Sequence, residues 1–315
     1  MDKLPIPKGK YMVLVRCFTF NHSKYINDAL NGFVMQQTSF PFVCLIVDDA
    51  STDGEQQIIK FFLEKECDMS AAKQYNTEPA EVIIVPHSSN KQCTFAVYFL
   101  RENHYSNKKN KSPYVDPWRN CCRYEALCEG DDYWIEQNKI EMQVAVLENN
   151  PNVSLVYSSF KTIDEAGDEV YVPFYRNNID KSFSGDNFYQ LLKGNYIQTL
   201  TVCHRIEILH SKVFKDCPHK YDYALFLTSA VLGDLRFLNI ETGSYRLTSI
   251  GAMATKKNLY LSYKNRVLYF FAIHYLSLVN NRLSIRQKIL GRINVARIFL
   301  HYKRYNYFFK MFLPF

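Results

Sequence analysis

Two pairs of adjacent aspartates are the side chains in this sequence with the clearest capacity for chemistry. They are Asp48 with Asp49 and Asp131 with Asp132. Each pair follows a short apolar run, at residues 42–47 and 124–128, of the kind typical of a strand buried on both faces. Ligands of open parallel sheets bind beyond the carboxyl ends of the strands. The four carboxylates are therefore expected at one ligand-binding edge.

Carboxylates gathered at such an edge repel one another unless a cation or hydrogen-bond donors are present. A hard divalent cation is suited to this position because it takes oxygen ligands and completes its shell with substrate phosphates. One Asp-Asp pair alone is more often a turn or helix-capping feature. Its occurrence after two buried strands favours a metal site that binds a phosphorylated ligand.

Motifs of several other enzyme classes are missing from the sequence. No G-x-G-x-x-G follows the first predicted strand and no Walker-type Gly-Lys-Ser/Thr occurs, which argues against dinucleotide oxidoreductases and P-loop enzymes. Neither G-x-S-x-G nor H-E-x-x-H is present. A nucleotide and metal site without a phosphate-binding loop remains, in which the ion itself holds the diphosphate.

The order of elements predicts a sheet that would position these residues. The first five are a strand at 11–18, a helix at 23–37, a strand at 42–47, a helix opened by a capping box at 52–62 and a strand at 81–85. This β-α-β-α-β order predicts parallel strands joined by right-handed crossover helices.

Further elements are predicted after residue 100. A polar, lysine-rich stretch at 103–116 is expected to be a surface loop. The others are a strand at 124–128, a helix at 136–148, a strand at 154–158, a helix at 186–192, an apolar segment at 196–203, a helix at 221–232 and a strand at 235–245.

Three motifs carry a resemblance to a known family. Phe20-Asn21 resembles the family's Tyr-Asn position, and residues 47–53 match its V-D-D-x-S-x-D signature in full. Residues 126–134 resemble the form of the D-x-D motif common in bacterial polysaccharide glycosyltransferases. Over about residues 10–255 the chain thus resembles family 2 of the glycosyltransferases, an inverting group. The resemblance implies a GT-A type fold, a Rossmann-like and mostly parallel sheet flanked by helices.

The resemblance also implies roles for individual residues. Asp48 would accept the N3–H of a uracil-like base beside Thr19, and Asn21 would belong to the same nucleotide site. Asp131 would face the ribose, and Asp132 would bind the Mn²⁺ or Mg²⁺ that bridges the diphosphate. Such an ion stabilises the charge that develops on the leaving diphosphate.

Asp222 is the general base that the resemblance implies, because it stands at the start of the helix after the acceptor subsite. An alcohol is a weak nucleophile until a base takes its proton, and inversion requires attack opposite the leaving group. The alternative is a carboxylate that only stabilises the helix dipole. Tyr221 stands where the family often has a second acid. The Q-x-x-R-W motif of processive members is absent and Tyr245-Arg246 is its nearest equivalent, which favours transfer of single sugars.

Neighbouring residues leave alternatives open. Tyr133 and Trp134 stack on an acceptor sugar, or Trp134 packs under the following helix. Glu129 supports the metal ligands or is an exposed carboxylate. Thr199 and Thr201 line the acceptor side or are ordinary strand residues.

The predicted activity is inverting transfer from a nucleotide diphosphate sugar, with a UDP-sugar as the expected donor. The expected acceptor is a glycan or lipid-linked hydroxyl in surface polysaccharide synthesis. One alternative is a nucleotidyltransferase, which would need basic residues in an early glycine-rich loop. Another is a catalytically silent GT-A protein that binds sugar or membrane, against which the intact Asp132 and Asp222 argue.

Charge divides the chain into two regions. No Asp or Glu follows Glu241, whereas 13 Lys or Arg lie between Thr242 and the end. We therefore predict a catalytic domain at 1–255 and a basic amphipathic extension at 256–315, with helices at 258–279 and 283–315. Such helices lie in membrane interfaces, so docking on the cytoplasmic membrane face is expected. Packing on the catalytic domain and dimerisation are the alternatives.

The remaining composition favours the cytoplasm. Nine cysteines without a C-x-x-C pair are consistent with free thiols in a reducing compartment. We see no secretory signal, and the apolar run at 267–279 is shorter than the roughly 20 residues that a bilayer requires. No recognisable nucleic-acid module accompanies the basic charge, so a nucleic-acid partner is not expected.

Overall fold

The computed structural model of the protein describes residues 3–7, 9–173, 187–248, 257–275, 284–301 and 303–311. Within these ranges, ten strands form one sheet. The strands are β1 (Val13–Thr19), β2 (Phe42–Asp48), β3 (Lys73–Asn76), β4 (Ala80–Pro86), β5 (Cys93–Leu100), β6 (Tyr124–Leu127), β7 (Tyr133–Trp134), β8 (Val153–Ile163), β9 (Cys203–Arg205) and β10 (Asp234–Arg246).

The order of the strands across the sheet is β3-β4-β5-β2-β1-β6-β9-β8-β10-β7. Strands β5, β2, β1 and β6 are parallel, as are β8 and β10. Between these two groups lies β9, which is antiparallel to both β6 and β8. The ends of β1 and β2 meet in register, with Thr19 opposite Asp48. The carboxyl ends of these parallel strands therefore lie at one edge of the sheet, as predicted.

Helices cover both faces of the sheet. They are α1 (Ile26–Val34), α2 (Glu55–Glu66), α3 (Ser112–Arg119), α4 (Lys139–Asn149), α5 (Asn187–Lys193), α6 (Glu207–His210), α7 (Lys212–Asp216), α8 (Asp222–Leu232), α9 (Lys257–Phe270), α10 (Ile285–His301) and α11 (Tyr305–Lys310). Successive side chains of a strand point to opposite faces. Val13 of β1 accordingly packs in a core with α1, α2 and α4, whereas Leu14 packs in a core with α3.

The third parallel strand is not the one that the sequence indicated. Residues 81–85, predicted as a parallel strand, lie in β4, which is antiparallel to β5. The strand that pairs in parallel with β2 is β5, where no strand was predicted. Because only residues 87–92 connect β4 to β5, no crossover helix fits between them, and a short connection leaves the antiparallel arrangement.

The predicted surface loop at 103–116 is wrong in its last part, where α3 begins. Pro113 lies in the first turn of α3, a position that needs no backbone N–H donor. Tyr114, Val115 and Trp118 are the buried residues of this helix. The lysines that precede the helix conceal this short apolar face in the sequence.

The helices after residue 256 share a core with the preceding part of the chain. Val267 and Phe271 are buried in one cluster with Val295 and Phe299 of α10 and with Phe226 of α8. Packing on the rest of the protein, one of the alternatives for this region, is therefore observed. A boundary at residue 255 stays a prediction, because no separate core marks it in the described residues.

Of the two predicted C-terminal helices, the first is helical as far as it is described and the second is interrupted. The first, α9, ends at Phe270 and continues as a π-helical turn, Phe271–Tyr275, and the rest of the helix expected at 258–279 lies outside the described residues. Helices α10 and α11 are separate because Lys303 has a φ of 54°, a left-handed conformation that a right-handed helix does not contain. Of the helices described here, none has both the length and the hydropathy needed to cross a membrane.

Candidate active site

Asp48 ends β2 and is fully buried. Its Oδ1 accepts hydrogen bonds from the backbone N–H of Ser51, at 3.2 Å, and from the side chain of Gln56. Its Oδ2 has no hydrogen-bond partner among the described residues. Burial raises the pKa of Asp48 above its ordinary value. A buried acceptor without a donor is costly, and this one fits an N–H donor that a ligand would supply.

Glu55 holds the loops after β1 and β2 together, a role that the sequence did not reveal. Its carboxylate accepts hydrogen bonds from the Thr19 hydroxyl, from the backbone N–H of His22 at 2.9 Å and from the Ser51 hydroxyl at 2.8 Å. The predicted capping box is wrong, because α2 begins after Gly54, whose φ is 94°. Glu55 is turned inward to the loops and does not cap the helix.

Asn21 connects the same two loops. Its side-chain oxygen accepts a hydrogen bond from the backbone N–H of Thr52 at 2.8 Å, and its backbone N–H donates to the Ser51 hydroxyl at 2.9 Å. Together with the bond between Thr19 and Glu55, these contacts fix the backbone around Asp48. A direct contact of Thr19 or Asn21 with a nucleotide stays a prediction.

The segment after β6 lies directly against the end of β1. A Cβ atom on Gly130 would stand 2.1 Å from the hydroxyl oxygen of Thr19, so only glycine permits this approach. Asp131 follows, with 20% of its side chain exposed and its Oδ2 3.8 Å from Nε2 of His22. The close approach therefore brings Asp131 beside the loops that surround Asp48.

Asp132 is turned away from solvent. It is only 4% exposed, and its Oδ1 accepts a hydrogen bond from the backbone N–H of Arg246 at 2.8 Å. Burial, together with the nearby charge of Asp131, raises the pKa of Asp132 well above its ordinary value. Of the two neighbouring carboxylates, Asp131 is the more accessible, although the family resemblance implies that Asp132 is the metal ligand.

Arg246, the last residue of β10, joins several parts of this site. Its guanidinium donates to the carbonyl of Asp131 at 3.1 Å and to the carboxylate of Asp28 in α1 at 2.9 Å. It also donates to the carbonyl of Asp164, after β8, at 3.3 Å. Because Arg246 is buried, these contacts place a positive charge beneath the aspartates. The sequence pointed to this residue only as a basic-aromatic element.

Asp222 begins α8 and is linked to the same segment by a short chain of contacts. The indole N–H of Trp134 donates to the carbonyl of Leu200 at 2.9 Å. The hydroxyl of the adjacent Thr199 donates to Oδ2 of Asp222 at 3.4 Å. Burial raises the pKa of Asp222, and the nearby Lys264 of α9 partly opposes this. A carboxylate with a raised pKa is a stronger base than an ordinary one.

Trp134 packs inside the protein. Its ring lies 5.1 Å from that of Phe33, edge to face, and the ammonium group of Lys139, the first residue of α4, lies 4.4 Å from the ring. Trp134 is therefore buried between α1 and the first residue of the following helix, so the alternative that it packs inside the protein is the one observed. Tyr133 is partly exposed.

The carboxylate oxygens at this edge of the sheet could ligate a hard cation that takes most of its ligands from a substrate. Within the described ranges, no group of three or more His, Cys, Asp or Glu side chains is arranged to hold a metal ion. Asp131 and Asp132 offer carboxylate oxygens, and Glu129 accepts a hydrogen bond from the backbone N–H of Phe18 at 3.2 Å. Ions such as Mg²⁺ commonly use one or two carboxylates together with phosphates and water.

Comparison with other sequences identifies relatives of undetermined role. No family model matches the chain. Uncharacterized proteins of Mycobacterium bovis and of two strains of Mycobacterium tuberculosis are 28% identical over 234 residues, which is 72% of this chain. The chain spans 56% of the length of these relatives.

Comparison with solved structures identifies the fold. S. aureus TarS 1–349 in complex with UDP-GlcNAc matches with a TM-score of 0.57 at 13% identity, over 91% of this chain and 71% of that one. The mannosyltransferase PcManGT from Pyrobaculum calidifontis, in complex with GDP-Man and Mn²⁺, matches with a TM-score of 0.50 at 14% identity, over 98% and 75%. The predicted GT-A type fold is confirmed by this likeness.

Proposed function

We propose that the protein is a metal-dependent, inverting glycosyltransferase with a nucleotide diphosphate sugar as donor, expected to be a UDP-sugar. One observation carries the proposal: Asp48 and Asp131 lie on neighbouring loops at the carboxyl ends of the parallel strands, and Asp222 is connected to the segment after Asp132 through Trp134, Leu200 and Thr199. Asp48 provides a buried oxygen without a hydrogen-bond donor, Asp131 provides an accessible carboxylate and Asp222 provides a carboxylate of raised pKa. The structures with UDP-GlcNAc and with GDP-Man and Mn²⁺ support a nucleotide sugar as the ligand.

The nucleotide would bind at the end of β2. Oδ2 of Asp48 would accept the N3–H of uracil, which is a donor of the kind that this buried oxygen lacks. Thr19 and Asn21 would border the base, since their contacts hold the adjacent loops in place. Asp131 would face the ribose and diphosphate from the opposite loop.

A divalent cation, Mn²⁺ or Mg²⁺, would bind at Asp131 and Asp132. Asp132 is the ligand that the family resemblance implies, and it would use Oδ2, because Oδ1 already accepts the N–H of Arg246. Asp131 is the more accessible carboxylate and is the alternative ligand. The cation, when bound, supplies positive charge that stabilises the leaving diphosphate.

Asp222 would act as the general base. Its carboxylate would take the proton of the acceptor hydroxyl while the hydroxyl oxygen forms a bond to the anomeric carbon of the sugar. The bond from that carbon to the diphosphate breaks on the opposite side, which inverts the configuration. Thr199 would hold the carboxylate in position through its hydrogen bond to Oδ2.

The acceptor would be a glycan or a lipid-linked saccharide used in surface polysaccharide synthesis. We place the enzyme in the cytoplasm, at the inner face of the membrane, where a lipid-linked acceptor would be presented. The basic charge after Thr242 supports this location, and the surface concerned is described in the next subsection. A catalytically silent GT-A protein that binds sugar or membrane is one alternative, and a nucleotidyltransferase is the other.

Titration calorimetry with UDP, with and without Mn²⁺, tests the donor and metal sites. We expect Mn²⁺ to tighten UDP binding by the wild-type protein, since the ion bridges the diphosphate to the carboxylates. Asp132→Asn keeps an oxygen for the bond to Arg246 and removes only the negative charge. If Asp132 is the ligand, this variant loses the effect of Mn²⁺ on UDP affinity.

Asp131→Asn separates the two assignments. Loss of the Mn²⁺ effect in Asp131→Asn but not in Asp132→Asn would transfer the metal to Asp131. Asp216→Asn is the matched control, because Asp216 is an exposed carboxylate at the end of α7. UDP binding by wild type that is indifferent to Mn²⁺ would contradict a metal-dependent enzyme.

A further inference from the structure

The outer side of α10 and α11 exposes large apolar side chains. One face of α10 is buried, since Gly291, Val295 and Phe299, spaced four residues apart, are all covered. The exposed apolar residues of the two helices are Ile285, Ile289, Leu290, Leu300, Tyr305 and Phe309. We call this set the outer face. An exposed apolar patch of this kind marks a surface that another molecule covers.

Positive charge surrounds the outer face. Arg286 and Arg297 are exposed on α10, and Lys303 and Arg304 are exposed at the break before α11. Among the described residues, no carboxylate forms an ion pair with any of these four side chains. The sequence from Thr242 onward contributes no acidic residue that could neutralise them. The outer face is therefore matched to a partner that is both apolar and anionic.

We propose that the outer face docks on an anionic lipid bilayer, with its apolar side chains at the level of the headgroups and its cations on the lipid phosphates. Amphipathic helices with basic and aromatic residues bind in this manner, parallel to the interface. A second copy of the chain suits the surface less, because a two-fold contact would bring the same cations together. An acidic protein partner would satisfy the charges but would leave the lipid tests below negative.

The position of the outer face suits an enzyme that works on a membrane. Phe299, on the buried side of α10, packs against Tyr269 of α9 with ring centres 6.5 Å apart. Helix α9 also carries Lys264, whose charge acts on Asp222. The docking helices and the candidate base thus belong to adjacent parts of one core. This last relation rests on the proposed function, whereas lipid binding itself does not.

Co-sedimentation of the full chain with lipid vesicles tests the proposal. The vesicles are phosphatidylcholine alone or phosphatidylcholine with about 30% phosphatidylglycerol, as a model of an anionic leaflet. We expect binding to the anionic vesicles only, weakened when salt rises from about 0.15 M to about 0.5 M because added ions screen the charges. Arg286→Gln and Arg297→Gln should each weaken binding about fivefold.

Two apolar substitutions have closely matched controls elsewhere in the chain. Ile285 is 78% exposed and Ile6 is 81% exposed, while Phe309 is 66% exposed and Phe61 of α2 is 67% exposed. Ile285→Ser and Phe309→Ser should each weaken vesicle binding about tenfold, since each removes an apolar side chain from the interface. Ile6→Ser and Phe61→Ser should bind as the wild type does.

Three results would overturn the proposal. The first is a folded wild-type protein that stays in the supernatant with both kinds of vesicle. The second is equal loss of binding in the outer-face variants and their controls. The third is a dimer in analytical ultracentrifugation that Ile285→Ser dissociates, which would assign the outer face to a second copy. UDP binding measured on the same samples reports separately on the proposed donor site.

Discussion

Among single residues, Asp222 is partly buried, and the role proposed for it requires negative charge. Burial raises its pKa in the folded protein above the value in the unfolded chain. The folded state therefore binds this proton more tightly, so the protonated group contributes stability at low pH. That contribution is lost as the pH rises through the raised pKa. At neutral pH, the ionised carboxylate that the proposed mechanism needs is a cost to folding.

Asp222→Asn is expected to separate stability from activity. The variant should bind UDP as the wild type does and should be at least as stable at pH 7, because the buried charge is gone. Its rate of sugar transfer should fall about 10²- to 10⁴-fold, the usual contribution of a general base. Thermal unfolding and initial rates measure the two effects.

The pH dependence of kcat/KM in the wild type and in Asp222→Asn is a second test of whether Asp222 is the base. In the wild type, kcat/KM should fall as the pH is lowered through the raised pKa of Asp222, because the base becomes protonated. The residual kcat/KM of Asp222→Asn should not fall over this pH range, whereas that of Asp216→Asn should fall as in the wild type. Transfer by Asp222→Asn within a few-fold of the wild-type rate would place the base elsewhere.

The candidate residues were recognisable in the sequence, but their surroundings were not. The spacing of V-D-D-x-S-x-D and of the D-x-D-like segment indicated Asp48, Asp131 and Asp132 without any structure. Which of the last two faces solvent depends on Arg246, more than a hundred residues later, whose N–H binds Asp132. No local pattern contains that contact.

At the scale of elements, the end of β10 positions the segment that carries the aspartates. Arg246 binds Asp131 and Asp132 through two different groups, its guanidinium and its backbone N–H. Through Asp28 it fixes the same segment to α1. We expect this strand end to set the geometry of the metal site without touching the metal.

Substitution of Arg246 should therefore change the use of metal and donor. Arg246→Gln loses the ion pair with Asp28 and should raise the Mn²⁺ concentration needed for half-maximal activity, with a smaller effect on kcat at saturating metal. Arg246→Lys keeps the charge and should recover part of the loss. Arg236→Gln, on an exposed position of β10, is the control. An unchanged Mn²⁺ requirement in a folded Arg246→Gln would contradict this role.

Strand direction was the part of the element pattern that the sequence could not provide. Both β4 and β5 are apolar runs, and periodicity does not separate a parallel strand from an antiparallel one. The short connection between β4 and β5 makes this pair antiparallel. On its other side, β5 pairs in parallel with β2. Helix α3 was missed for a related reason, since its buried residues are only three in a lysine-rich context.

At the scale of the whole molecule, two regions of opposite charge share one structure. The first 241 residues contain 25 basic and 31 acidic side chains, and the remainder is basic throughout. The sequence predicted this division and the helices after residue 256, whereas packing on the rest of the chain was only one of its alternatives and the shared core with α8 was not specified. That core forms from residues distant in the chain, and hydrophobic pattern alone does not show which faces meet.

Transfer of a sugar from a nucleotide diphosphate donor is the activity that we propose for the protein. The most direct test is release of the nucleoside diphosphate from a panel of UDP-, GDP- and dTDP-sugars, with Mn²⁺ or with chelator. We expect that at least one UDP-sugar is consumed, that chelator stops the reaction and that the product is UDP, without pyrophosphate. Release of pyrophosphate would indicate a nucleotidyltransferase. A folded, UDP-binding protein that consumes no donor in the panel, with glycan and lipid-linked acceptors present, would contradict the claim and leave a silent binding protein.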